Sequence, residues 1–170
     1  MSTLRWATRP ETAADLPAVR AVHLAAFDTA LEADLVEALR ADDCWIPGFS
    51  LVAQTSDGTV VGHALLTRCH IDDTPALCLA PVAVLPAHQR TGAGAAVVRA
   101  ALAAARVQGE HTVTVLGHPS YYPRFGFGRA SRYGIKATID VPDEALMALD
   151  LDSNSPLPSG TLHYAAPFGI

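Results

Sequence analysis

The stretch "QRTGAG", Gln89 to Gly94, stands directly before a long run rich in alanine and valine. Glycine inside a helix costs about 1 kcal/mol relative to alanine, so Gly92 and Gly94 at a helix start need another reason. The first N–H groups of a helix have no partner within it and carry partial positive charge, and a backbone without side chains lets an anion come close. The stretch therefore predicts a cradle for phosphate or pyrophosphate, with Arg90 as an additional cation.

Three known phosphate-binding patterns can be compared with this stretch. A P-loop requires GxxxxGK[ST], and no lysine stands near this turn. A dinucleotide-binding fingerprint requires GxGxxG or GxGxxA, whereas Val97 occupies the third position here and no acidic residue ends the following predicted strand. The third pattern, [QR]xxGxG, fits Gln89 to Gly94 at every position.

A second segment, "SYYPRFGF", carries Tyr122 and Gly126-Phe127 in a Tyr-x-x-x-Gly-Phe arrangement after the next predicted strand. The two segments, with a strand ending in "VLP" and a long helix around the first, resemble the coenzyme A-binding region of the GNAT N-acetyltransferases. The C-terminal third is similar to one branch of predicted bacterial members. The chain departs from the family at Arg90, where glycine is frequent, and at Thr91, where arginine, lysine or glutamine is frequent.

The resemblance implies acetyl-CoA as cosubstrate and no metal. In this fold the pantetheine arm enters between two strands that part, and a backbone N–H, such as that of Val84, stabilises the oxyanion as an amine attacks the thioester. Tyr122 is implied as the acid for the leaving thiolate, because a phenol of pKa about 10 can protonate it. The implied binding positions are Val82, Ala83 and Val84 for the arm and Gln89, Arg90, Thr91, Gly92, Ala93, Gly94 and Ala95 for the pyrophosphate.

The reaction implied by the resemblance is direct acetyl transfer to a primary amine of a small-molecule or peptide acceptor. A protein that binds coenzyme A as a sensor or regulator without catalysis is the alternative function. Members of the family are often dimers, so a homodimer is possible. Tyr121 is expected in the core or in the substrate wall. The base that deprotonates the amine stays open between a water chain and four side chains: Glu32, Asp72, Asp73 and His118.

Composition limits the remaining function classes. The chain has 170 residues with 12 basic and 17 acidic side chains, for a net charge of −5, which argues against nucleic-acid binding and mildly favours a cationic acceptor. Its three cysteines form no CxxC pair, so neither a disulfide framework nor a zinc site is expected, and a reducing, cytoplasmic setting fits best. No apolar run suits a signal peptide or a membrane span.

The elements that must position these residues follow from periodicity. Apolar residues recur at helical spacing in two segments after a short strand at Leu4–Pro10, and Asp57-Gly58 predicts a hairpin turn. Pro81 inside the next apolar strand predicts a bulge or a parting of strands, because proline cannot donate to a ladder. We expect a mixed α/β (α+β) sheet in a single domain over residues 1–170, with its core at about 3–130 and an extension at about 131–170. The resemblance implies a mostly antiparallel sheet, splayed at the fourth and fifth strands, with helices on both faces.

Overall fold

Nine strands join in one mixed sheet in the computed structural model, which describes residues 6–170. The beginning of the predicted first strand, at Leu4, lies outside the described residues. The strands are β1 (Ala7–Pro10), β2 (Trp45–Gln54), β3 (Val60–Ile71), β4 (Thr74–Val84), β5 (Thr112–Leu116), β6 (Gly128–Arg129), β7 (Ile135–Ala137), β8 (Leu146–Asp150) and β9 (Gly160–His163).

Three α-helices accompany the sheet within residues 6–170, and short 3-10 turns link several elements. The longest helix begins directly after Gly92, as the glycine-rich stretch predicts. None of the three is at once long enough and apolar enough to cross a bilayer. The helices are α1 (Leu16–Ala26), α2 (Leu31–Arg40) and α3 (Ala93–Val107).

The strand order β1-β2-β3-β4-β5-β8-β6 is antiparallel at every step except between β4 and β5, which run parallel. Strand β9 pairs with the far end of β3 and carries β7 on its other side. The mostly antiparallel mixed sheet predicted for this chain is therefore confirmed. The strands after residue 130 extend this same sheet, which supports our proposal that the chain forms one domain.

The ladder between β4 and β5 is short, and this creates the gap in the sheet. Only Leu77 with Val113 and Cys78 with Thr114 are paired, although β4 continues to Val84. Beyond these pairs, no strand among residues 6–170 pairs with the edge of β4 that faces β5. The predicted splay at the fourth and fifth strands is confirmed.

The β3–β4 ladder contains the bulge that Pro81 predicts. Leu66 pairs with Leu79, and the next pair along the ladder joins Ala64 with Val82. One residue of β3 therefore lies opposite two residues of β4 between these pairs, so β4 has one extra residue. A bulge bends its strand and interrupts the ladder locally. It lies within the stretch of β4 beyond Cys78 that borders the gap.

Helices cover both faces of the sheet, as predicted. Leu51 and Leu66 pack in a buried cluster with α3, whereas their neighbours Val52 and Leu65 pack in another with α1 and α2. Successive residues of a strand point to opposite faces, so this alternation directs each strand into two cores. The five α3 residues in the first cluster are fully or almost fully buried, which fixes the start of α3 relative to β4: Val97, Val98, Ala101, Leu102 and Ala105.

A chain of buried polar side chains crosses the α1 side of the sheet. His23 Nε2 lies 2.8 Å from His63 Nδ1, and His63 Nε2 lies 2.7 Å from Ser50 Oγ, which donates to the Glu11 carboxylate. Arg40 donates two further hydrogen bonds to Glu11. Burial lowers the pKa of His23 to about 3 and also lowers that of His63. Burial alone would raise the pKa of Glu11, but hydrogen bonds from His63, Arg40 and Ser50 lower it to about 2.

We expect the two buried histidines to make stability fall steeply in mild acid. Both stay neutral in the folded protein while their unfolded forms take up protons below pH 6.5, so stability is present above that pH and lost below it. The free energy of unfolding should drop by about 2 kcal/mol from His23 alone between pH 7 and pH 5, and the lowered pKa of His63 adds to the drop. Urea unfolding across this range measures the slope. His23→Gln should make the slope shallower, whereas His70→Gln, at an exposed position, should leave it unchanged.

Candidate active site

The N-terminus of α3 presents open backbone donors. Gly92 precedes the helix with φ 93°, in the left-handed region that glycine adopts without strain, and no side chain of residues 6–170 caps this end. The carbonyl of Gly92 accepts the N–H of Ala96 at 2.9 Å. The N–H groups of Ala93, Gly94 and Ala95 therefore have no acceptor within the helix. These three donors lie at the position of the cradle predicted from the glycines, and we keep the name cradle for them; their binding of phosphate stays a prediction.

Side chains of the preceding loop hold the cradle in place. Gln89 Nε2 donates to the carbonyl of Val84 at 3.1 Å, and Thr91 Oγ1 donates to the carbonyl of His88. The indole of Trp6 donates to the carbonyl of Thr91 at 3.2 Å and meets the His88 ring edge-on. Gln89 and Thr91 thus fix the loop in this structure. The sequence reasoning missed Trp6, because no local pattern links it to a loop 85 residues away.

Arg90 is exposed, and within residues 6–170 its guanidinium makes neither an ion pair nor a hydrogen bond. Its φ of 61° is in the left-handed region, which costs a residue with a Cβ atom about 1–2 kcal/mol. The glycine that is frequent at this position in the family that the sequence resembles would avoid this conformational strain.

Arg90→Gly should therefore stabilise the protein. We expect a gain of about 0.5–1 kcal/mol, since glycine removes the strain but adds freedom to the unfolded chain. The same replacement at Arg106, exposed on α3 with ordinary helical φ, should instead cost about 1 kcal/mol. Urea unfolding of both variants gives the comparison. Equal destabilisation of the two would show that position 90 is not left-handed in solution.

Two of the predicted arm-binding residues direct their backbone toward the gap. The N–H of Leu85 donates to the carbonyl of Val61 at 2.8 Å, so Leu85 bonds to the β3 side. Along an antiparallel ladder, residues that bond to a given neighbour alternate with residues that do not. The backbone of Ala83, two residues earlier, therefore bonds to β3. Val82 and Val84 direct theirs away from β3, toward the gap. The Val84 carbonyl already accepts from the loop, which leaves its N–H as the open group.

Tyr122 begins a 3-10 turn that ends at Phe125, and its ring packs edge-on against Phe127 at 5.9 Å between centroids. The ring also lies directly on Gly117, where an added Cβ would come within 2.4 Å of Tyr122 Cε2. Burial raises the pKa of Tyr122 to about 12, so the phenol stays protonated at neutral pH. The sequence reasoning missed Gly117, although a glycine ending a β-branched strand is a visible signal of close approach.

Tyr121 joins the tyrosine segment to the cradle. A Cβ added to Gly94 would lie 3.2 Å from the Tyr121 hydroxyl oxygen and 3.3 Å from Val84 Cγ2. Tyr121 and Tyr122 pack edge-on with centroids 5.1 Å apart. The structure thus brings the cradle, the gap-facing end of β4 and the tyrosine segment together.

The four side chains proposed as bases are dispersed. Asp72 and Asp73 lie in the turn before β4, at the opposite end of that strand from the cradle. His118 follows β5, and its carbonyl accepts the N–H of Tyr121. Glu32, on α2, has one buried carboxylate oxygen without a hydrogen-bond partner among residues 6–170.

Comparison with known proteins identifies the family. Residues 16–127 match the family described as Acetyltransferase (GNAT) family. The uncharacterized N-acetyltransferase YjhQ of Escherichia coli K12 is 40% identical over 135 residues, which cover 76% of this chain and 74% of that protein. The uncharacterized N-acetyltransferase YhbS of the same strain is 30% identical over 130 residues, covering 75% of this chain and 77% of that one.

Solved structures agree with this match. The crystal structure of YhbS from Escherichia coli in complex with CoA superposes with a TM-score of 0.90 at 26% identity, over 100% of this chain and 95% of that chain. A GNAT family acetyltransferase from Brucella melitensis in complex with acetyl-CoA gives a TM-score of 0.79 at 31% identity, over 96% and 97% of the two chains. The chain therefore belongs to the GNAT family of N-acetyltransferases.

Proposed function

We propose that this protein transfers the acetyl group of acetyl-CoA directly to a primary amine of a small-molecule or peptide acceptor. The observation that carries the proposal is the parting of β4 from β5 beside the open N–H groups of α3. A thioester with a diphosphate tail fits this arrangement, because the gap offers an unpaired strand edge and the helix start offers anion-binding donors. The CoA and acetyl-CoA complexes of the two similar structures support the same cosubstrate.

The cradle would bind the pyrophosphate through backbone donors. Ala93, Gly94 and Ala95 would donate their N–H groups, and Gly92 would keep the approach free of side chains. Gln89 and Thr91 would act by fixing the loop, which their hydrogen bonds already do. The partial positive charge of the helix start adds to this binding.

The pantetheine arm would lie along the gap-facing edge of β4. Val82 and Val84 would bond to the amides of the arm, in the manner of an added strand, while Ala83 would shape the strand from its bonds to β3. The N–H of Val84 would also stabilise the oxyanion that forms when the amine attacks the thioester carbonyl.

Tyr122 would serve the leaving group. When the carbon–sulfur bond breaks, the thiolate gains negative charge, and the phenol O–H would donate to it and then supply the proton. Its raised pKa supports this role, since the group is protonated before the reaction begins. Contacts with Phe127 and Gly117 hold the ring in one orientation.

An assay of thiol release from acetyl-CoA against a panel of primary amines tests the proposed function. We expect release to depend on both protein and amine, with mass spectrometry showing one acetyl group added to the amine. Acetyl-CoA without amine is the control for simple hydrolysis. Tight acetyl-CoA binding without transfer to small amines, polyamines or peptide N-termini would contradict catalysis and favour the sensor function.

A further inference from the structure

Two arginines pack against aromatic rings beside the cradle. The guanidinium carbon of Arg124 lies 4.2 Å from the centroid of the Tyr121 ring, and that of Arg99 lies 5.1 Å from the centroid of Phe125. The two rings are themselves in edge contact, with centroids 5.4 Å apart. We call these four residues the arginine–aromatic cluster. The ring contacts hold both cations on one surface.

The arginine–aromatic cluster adjoins the proposed pyrophosphate site. The Tyr121 hydroxyl oxygen lies 3.2 Å from the position that a Cβ of Gly94 would take. Arg99 follows Gly94 by five residues on α3, which corresponds to about 7.5 Å along the helix. The cluster therefore begins beside Gly94, at the Tyr121 hydroxyl, and extends to the part of α3 that carries Arg99.

The charges of this cluster are not neutralised by the protein. Within residues 6–170, neither Arg99 nor Arg124 pairs with a carboxylate, and both are exposed. Arg124 uses only its Nε, which donates to the carbonyl of Tyr121 at 2.8 Å and leaves the end of the guanidinium open. Arg106 and Arg132 are likewise unpaired among residues 6–170, whereas five other arginines each have a carboxylate partner: Arg9, Arg20, Arg40, Arg68 and Arg129.

We infer that Arg99 and Arg124 bind the 3′-phosphate of coenzyme A. This assignment rests on the proposed function, because it requires the pyrophosphate to occupy the cradle. Coenzyme A carries a phosphate monoester on the ribose next to the pyrophosphate. Such a monoester has a charge between about −1.5 and −2 at neutral pH, which backbone N–H groups alone do not neutralise. A planar guanidinium can donate two parallel hydrogen bonds to two oxygens of one phosphate, so arginine suits a phosphate monoester better than the compact ammonium of lysine does.

Paired titrations with acetyl-CoA and with its 3′-dephospho form test the assignment by calorimetry. The wild-type protein should bind acetyl-CoA about 10- to 100-fold more tightly, the range expected for hydrogen bonds to charged groups. The double variant Arg99→Gln/Arg124→Gln should bind the two forms with affinities within about twofold of each other. Arg106→Gln removes the same charge from an exposed position on the same helix and should keep the full preference.

The titrations also separate this assignment from the proposed function. The affinity of the double variant for the dephospho form should equal that of the wild type, which shows in addition that the variant is folded. Equal wild-type affinity for both forms, or a preference that survives in the double variant, would overturn the assignment while leaving the acetyl-CoA site intact. Binding of neither form to the wild type would overturn both.

Discussion

Tyr122→Phe is expected to lower kcat by about 10²- to 10⁴-fold, the range for losing a general acid, while the Kd for acetyl-CoA stays within about twofold of the wild type. The replacement removes one hydroxyl and keeps the ring, so the contacts with Phe127 and Gly117 persist. The leaving thiolate then has no proton donor from this side chain. An effect on kcat without an effect on binding is what a group used only in the transition state produces.

Two further variants sharpen this prediction. Gly117→Ala retains the phenol but forces its ring to move, because the added Cβ would lie 2.4 Å from Tyr122 Cε2. It should reproduce much of the loss in kcat. Tyr133→Phe removes the hydroxyl of an exposed tyrosine and should leave kcat unchanged. Steady-state assays of thiol release from acetyl-CoA measure kcat for all three variants. A Tyr122→Phe enzyme with the wild-type kcat would refute the role proposed for Tyr122.

The pH dependence of the reaction offers a second check on Tyr122. Burial raises the pKa of this phenol to about 12, so the acid form persists through the ordinary alkaline range. The wild-type kcat should therefore show no decline due to this group between pH 8 and about pH 10. A decline in that range that disappears in Tyr122→Phe would mean that the phenol titrates with an unperturbed pKa.

The sequence predicted the features that depend on neighbouring residues. Gly92 and Gly94 before an apolar run define a helix start with open donors wherever that run folds as a helix. Pro81 interrupts a ladder whatever its partner strand is, so the bulge was also predictable. The splay of β4 from β5 required the resemblance to a family, since nothing local in either strand shows where their pairing ends.

Contacts between distant segments were beyond sequence reasoning. Trp6 reaches Thr91 across 85 residues, and His23 meets His63 across 40. Each contact depends on strand register, because a shift by one residue moves a side chain to the other face of the sheet. The different orientations of Ala83 and its neighbours in β4 have the same origin, because only the register shows that the backbone of Ala83 bonds to β3. Gln89 could be placed in the loop by its motif, but its bond to a β4 carbonyl could not.

Gly94→Asp is expected to weaken acetyl-CoA binding by at least about 100-fold, equivalent to losing two hydrogen bonds to a charged group. The added Cβ would meet the Tyr121 hydroxyl and Val84 Cγ2 at 3.2 and 3.3 Å, and the carboxylate would stand beside the proposed pyrophosphate site. Like charges at this distance repel each other. An acidic side chain in the first turn favours the helix itself, so the fold should persist while the anion is excluded.

The matched controls for Gly94→Asp separate charge, volume and position. Gly94→Ala adds only the Cβ and should weaken binding far less, because the Tyr121 hydroxyl at the end of its side chain can move by a few tenths of an ångström. Ala103→Asp places the same charge on an exposed face of α3, away from its N-terminus, and should leave affinity within about threefold of the wild type at moderate salt. Calorimetric titration of the folded variants, checked by circular dichroism, measures these affinities. Wild-type affinity in Gly94→Asp would place the coenzyme somewhere other than the start of α3, since no diphosphate held by those N–H groups could tolerate a carboxylate among them.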